Sequence, residues 1–104
     1  MEILHSLHNK SVDNLFNTIL NLSSLDECYD FFEDLCTVKE IFDMASRFDA
    51  AIMLDNGKSY QQIVNAVGIS TATISRVNRA LSYGSGGYKN AISKLSDKES
   101  KNDN

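Results

Sequence analysis

The chain has 104 residues, no proline and a net charge of −4, with 42% hydrophobic residues, a length that allows one domain with a modest core that a second copy would enlarge. No run approaches the roughly 18 apolar residues of a membrane helix. The start, MEILHSLHNK, places an acid and two histidines where a secretory leader needs basic residues before an apolar run, so a cytoplasmic protein free of membranes is expected.

Residues 1–10 carry no apolar period and read as a loose arm. Val12, Leu15, Phe16, Ile19 and Leu20 then recur at spacings of 3, 4, 7 and 8, which predicts an amphipathic helix over 11–22. Ser24 and Glu27 have the spacing of a capping box. A helix over 25–35 follows, with Leu25, Cys28, Tyr29, Phe32 and Leu35 on one face and Asp26, Asp30, Glu33 and Asp34 elsewhere. Acids early in that helix suit its positive end. Thr37 and Glu40 repeat the box ahead of a long helix over 38–55. Its predicted buried face is Val38, Ile41, Phe42, Ala45, Phe48, Ile52 and Met53, widened by Met44, Ala50, Ala51 and Leu54. A helix this apolar in so short a chain needs several neighbours, which argues for packing across a dimer. Asn56 and Gly57 end it.

The stretch SYQQIVNAVGISTATISRVNRAL, residues 59–81, reads as two short helices around a tight corner. Ser59 and Gln62 form a capping box, and Ile63, Val64 and Val67 share one face. Gly68 stands where the first helix must stop in a left-handed corner. Ile69 plugs the turn, and the Ser70 hydroxyl caps the second helix. On that helix Thr73, Ile74, Val77, Ala80 and Leu81 face inward. Thr71, Ala72, Ser75, Arg76 and Arg79 face outward. Small, hydroxylated and basic residues are what a helix needs to approach a major groove, bond base edges and hold phosphates. The plainer alternative is a solvated polar face on a helical hairpin. The motif is placed at 59–82. Ser82–Gly87 is a glycine-rich connector without the lysine of a P-loop. Tyr88, Ala91, Ile92 and Leu95 predict a last helix over 88–95, and 96–104 reads as a disordered tail.

The charge divides along the chain. Residues 1–55 hold 11 acidic and 3 basic side chains, a net −8. Residues 56–96 hold Lys58, Arg76, Arg79, Lys89 and Lys94 and no acid, a net +5. Phosphate attraction follows the local field, since charges beyond about 8 Å are largely screened. The acid-free stretch coincides with the helical pair.

The string Gly68–Arg76, GISTATISR, resembles the helix-turn-helix of the Trp repressor superfamily, in which an Ala-Thr-Ile-Thr-Arg run matches Ala72–Arg76 here. Over nearly its whole length the chain resembles the small Trp-repressor-related proteins of the YerC/YecD type. The resemblance implies an all-α, six-helix fold spanning 11–95 and an intertwined homodimer. Two recognition helices related by a two-fold axis, matching grooves about 34 Å apart, imply a near-palindromic operator in double-stranded DNA.

The resemblance also carries site residues. Recognition positions fall on Thr71, Ala72 and Ser75, while two basic positions of the first motif helix are Gln61 and Val64 here. The candidate DNA-binding set is therefore Lys58, Gln61, Ser70, Thr71, Ala72, Ser75, Arg76 and Arg79. In the family's namesake, tryptophan lies between two arginines and beside a threonine; these map onto Arg47, Arg76 and Thr37, with one residue deleted before Ser59. Val77 replaces a glycine of that site and Ala80 a serine. Locally, Thr37 also reads as an N-cap and Arg47 as a partner of Asp43 or Asp49. No cofactor and no tryptophan dependence are expected; another small-molecule effector stays open.

Other chemistries lack their residues. Cys28 and Cys36 read as small core thiols, and His5 and His8 have no further ligands for a metal. No nucleophile–base set or paired carboxylates point to an enzyme. The function expected is a dimeric transcriptional repressor reading DNA sequence. The alternative is a protein-interaction module that uses the helical pair and the acidic N-terminal half.

Overall fold

The structure, a computed structural model, describes residues 8–102. Those residues form six α-helices and no strand: α1 Lys10–Leu20, α2 Leu25–Leu35, α3 Val38–Asp55, α4 Tyr60–Val67, α5 Thr71–Tyr83 and α6 Gly87–Asn102. The chain divides into two compact units, one ending at Val38 and the other beginning at Lys39.

In the first unit, α1 starts earlier than the apolar period alone predicts. Asn9 is its N-cap and accepts a hydrogen bond from the Val12 amide at 2.8 Å. The expected loose arm over 1–10 is thus corrected at its end, because an asparagine in extended backbone satisfies an amide that would otherwise be orphaned. Residues 1–7 of that arm, His5 among them, lie outside the described residues. On α2, Ser24 accepts from the Glu27 amide at 3.1 Å. The Glu27 carboxylate takes the Ser23 hydroxyl at 2.5 Å. Phe31 and Phe32 meet edge to face, with ring centroids 5.6 Å apart. Neither α1 nor α2 holds a fully buried residue. Cys28 and Cys36 are free and only half-buried, so they are not the enclosed core thiols the pattern predicts.

The second unit contains the core. Ala50, Ala51, Ile63, Ile74, Val77, Leu81 and Ile92 are buried together. Burying one such aliphatic side chain is worth about 2 kcal/mol, so this cluster is what holds α4 and α5 in place. Only the C-terminal half of the predicted apolar face of α3 closes on it. Ala50 and Ala51 are fully buried, whereas Phe42 is 65% exposed and Val38 equally so. Small alanines allow a helix to approach its neighbours closely, and Phe48, Ile52, Met53 and Leu54 pack around them. Two contacts tie α6 to α3: Tyr88 stacks on Phe48 with centroids 6.4 Å apart, and Lys89 pairs with Asp55 at 3.6 Å. The last helix continues through Asn102 instead of ending at 95. Residues 96–102 therefore extend a helix where a disordered tail is expected from composition. Glu and Lys are good helix formers and no glycine or proline interrupts the run, so propensity carries the helix on beyond Ile92, its buried residue in the core.

Candidate nucleic-acid interface

The helical pair is built by short-range chemistry. The α3 terminus closes first: the Gly57 amide bonds the Leu54 carbonyl at 3.0 Å, and the Lys58 amide bonds that of Met53 at 3.0 Å. This is the hydrogen-bond pattern of a Schellman cap. Next, Ser59 and Gln62 complete a reciprocal box. The Gln62 amide donates to the Ser59 hydroxyl at 3.1 Å, and the Ser59 amide donates to the Gln62 side-chain oxygen at 2.8 Å. Two amides at the start of α4 are satisfied without water.

Gly68 ends α4 at φ 80° and ψ 23°, and its amide bonds the Val64 carbonyl. That left-handed conformation costs a side-chain-bearing residue about 1–2 kcal/mol. Ile69 is half-buried against the core, as a plug must be. Ser70 then caps α5, accepting from the Thr73 amide at 3.2 Å and sharing a hydrogen bond with the Thr73 hydroxyl at 3.0 Å. Thr73 is consequently half-buried, and its hydroxyl is spent locally.

The two sides of α5 differ sharply. Ile74, Val77 and Leu81 are buried, with Val77 only 2% exposed. Thr71, Ala72, Ser75, Arg76 and Arg79 are all exposed. Ala80, expected to face inward, is exposed too. Lys58, Gln61 and Ser70 are also at the surface. Gln61 donates its side-chain amide to Asn65 at 3.0 Å. Among the described residues, Lys39–Asp43 and Lys89–Asp55 form ion pairs, and Lys58, Arg76 and Arg79 belong to neither. A cation without an internal partner is one whose field reaches an external anion.

A hollow of about 250 Å³ at the corner of the pair is lined by Lys39, Asp43, Arg47, Ile69 and Thr73. Arg47 opens onto it, but Arg76 does not. Asp43, a suggested partner for Arg47, is held by Lys39 at 2.8 Å. A second hollow, about 340 Å³, lies at the glycine-rich connector and is lined by Ala80, Gly84, Ser85, Gly87 and Tyr88, with no charged side chain. No group of three or more potential metal ligands occurs among the described residues.

One surface residue is not singled out by the sequence pattern. The glycine-rich composition places Tyr83 in the connector, yet it is the last residue of α5 and 87% exposed. A signal for it exists: Tyr83 falls four residues after Arg79 and seven after Arg76, on the same stripe.

The fold and this face define a small all-helical protein with a cornered helix pair whose bared side is cationic. The chain belongs to the Trp repressor protein family, whose sequence profile matches residues 10–96. It is 47% identical over 96 residues to the uncharacterized protein YerC of Bacillus subtilis, covering 92% of each chain. Two solved structures share its fold. A TrpR-like protein from Eubacterium eligens superposes with a TM-score of 0.86 at 48% identity, over 88% of this chain and 95% of that one. A Trp repressor candidate from Staphylococcus aureus gives 0.86 at 41% identity, over 89% and 93%.

Proposed function

We propose that the protein is a sequence-specific, double-stranded-DNA-binding transcriptional regulator, a repressor that acts as a homodimer and catalyses no reaction. The observation that carries this reading is the division of α5. Its inner side is fixed by Ile74, Val77 and Leu81, while Thr71, Ala72, Ser75, Arg76 and Arg79 stand free on the outer side. A reader of the major groove needs a rigid backing and a bared polar face together.

Dimerisation is argued from the N-terminal helices. On α1 and α2, Phe16, Leu20, Leu25, Tyr29 and Leu35 are exposed large apolar side chains in one chain. Such density on so few residues marks an association surface, and a second copy is its natural cover. The paired α5 helices then address two half-sites of a near-palindromic operator.

Tryptophan is not required in this reading. Val77, packed into the core, stands in place of the glycine of the namesake's ligand site. Arg47 and its hollow are the place where another small effector would act.

The test is selection of bound fragments from genomic DNA by the purified protein, with and without added amino acids, followed by titration of the enriched duplex. The expected result is a two-fold-related motif bound with affinity that falls steeply with salt. Recovery of no preferred sequence, or binding indifferent to salt, would overturn the reading.

A further inference from the structure

We propose that Tyr83 is a DNA-backbone contact: its phenol donates a hydrogen bond to a phosphate at the rim of the groove and so fixes the angle at which α5 lies. The inference rests on the DNA reading above and adds a residue that carries no charge.

Three observations support it. The first is register. With about 3.6 residues per turn, Ala72, Arg76, Arg79 and Tyr83 form one line along the side of α5 opposite the buried Ile74, Val77 and Leu81. The second is exposure. At 87%, Tyr83 is the barest of the exposed large apolar and aromatic side chains among the described residues. Nothing bulky follows it: Gly84, Ser85, Gly86 and Gly87 leave its flank open. The third is length. The helix has 13 residues, or about 20 Å at 1.5 Å per residue, while the major groove is about 12 Å wide. With Thr71, Ala72 and Ser75 at the base edges, the far end of the helix lies outside the groove, at the level of a phosphate strand.

The chemistry fits that position. A phenol combines a hydroxyl donor with a flat apolar ring, so it bonds a phosphate oxygen while covering the adjacent sugar. Tyrosine is among the side chains that make such sequence-neutral contacts. Arg79, one turn earlier and without an ion-pair partner, keeps the local potential positive, which favours a phosphate over an acidic protein surface.

The experiment uses the full chain and the duplex it selects. Tyr83→Phe should weaken binding about tenfold per protomer, or about a hundredfold for the dimer, the worth of one hydrogen bond to a charged acceptor in each half-site, with the preferred sequence unchanged. The slope of affinity against salt should stay that of the wild type, whereas Arg79→Ala should lower it by about 2, one for each protomer of the dimer. Replacing single phosphates by methylphosphonates should reveal one position in each half-site that matters to the wild type and not to Tyr83→Phe. Tyr83→Ala should lose at least as much, and unchanged helical circular dichroism confirms folding. Wild-type affinity in both variants overturns the contact alone, as does loss of a protein partner with DNA binding intact. Failure of the wild type to bind any duplex removes the DNA reading and this contact with it.

Discussion

Ile63 of α4 and Ile74 of α5 are the two largest fully buried side chains, and they belong to one cluster. The helical pair is therefore clamped by a matched residue from each side of the corner. Ile74→Val should lower the unfolding free energy by about 1 kcal/mol, and Ile74→Ala by about 3 kcal/mol, since the wider truncation leaves a cavity. Urea denaturation followed by circular dichroism measures both. Equal, negligible losses would mean that the clamp does not hold the pair.

The two corners of α5 should respond differently to an added methyl group. At Gly68 a Cβ meets no atom, but φ is 80°, so Gly68→Ala should cost about 1 kcal/mol of backbone strain. Gly68→Asn should cost less, because asparagine tolerates the left-handed region. At Gly84 the backbone is extended, yet a Cβ would collide with the Ala80 carbonyl. Gly84→Ala must open the last helical turn and should cost about 2 kcal/mol or more. Thermal melts of the three variants give the order directly.

Much of the local structure is legible in the sequence because its causes lie within a few residues. The Ser59–Gln62 box, the left-handed Gly68 and the Ser70 cap each need only a four- or five-residue window. The exposed set on α5 follows from period alone. The buried side of α3 is not legible in this way. Val38, Phe42, Ala50 and Ala51 are all apolar, and only the tertiary arrangement decides that the alanines meet the core. Ala80 is misplaced by the pattern for a related reason, since an alanine at the edge of an apolar stripe suits either environment. Helix over 96–102 rests on propensity without an apolar period, a signal the pattern does not weigh. Tyr83 stays hidden because the glycines after it draw the expected helix boundary forward by two residues.

The dimer predicts its own disruption. If Phe42 and Leu20 are covered by a second copy, Phe42→Glu or Leu20→Glu buries a charge and dissociates it. Sedimentation equilibrium should find twice the 11.6 kDa of one chain for the wild type and a smaller mass for the variants. The wild-type melting temperature should also rise with protein concentration. A wild-type monomer at micromolar concentration would remove this part of the account.

Ser59→Ala tests whether the box at α4 supports the interface. Loss of the hydroxyl leaves the Gln62 amide unsatisfied and should cost about 1 kcal/mol. DNA affinity should change little at temperatures where the fold persists, because the box orders α4 without touching α5. A large loss of affinity with an unchanged melting temperature would instead make Ser59 a contact.

The most direct measurement is the salt dependence of duplex binding by Arg76→Ala/Arg79→Ala beside the wild type. Both arginines are exposed and outside any ion pair in the described residues, so their removal should leave stability nearly unchanged. Binding should be much weaker and the log–log slope shallower by about 4, one for each phosphate that the two protomers no longer neutralise. A double variant that binds with wild-type affinity and slope would contradict the DNA reading.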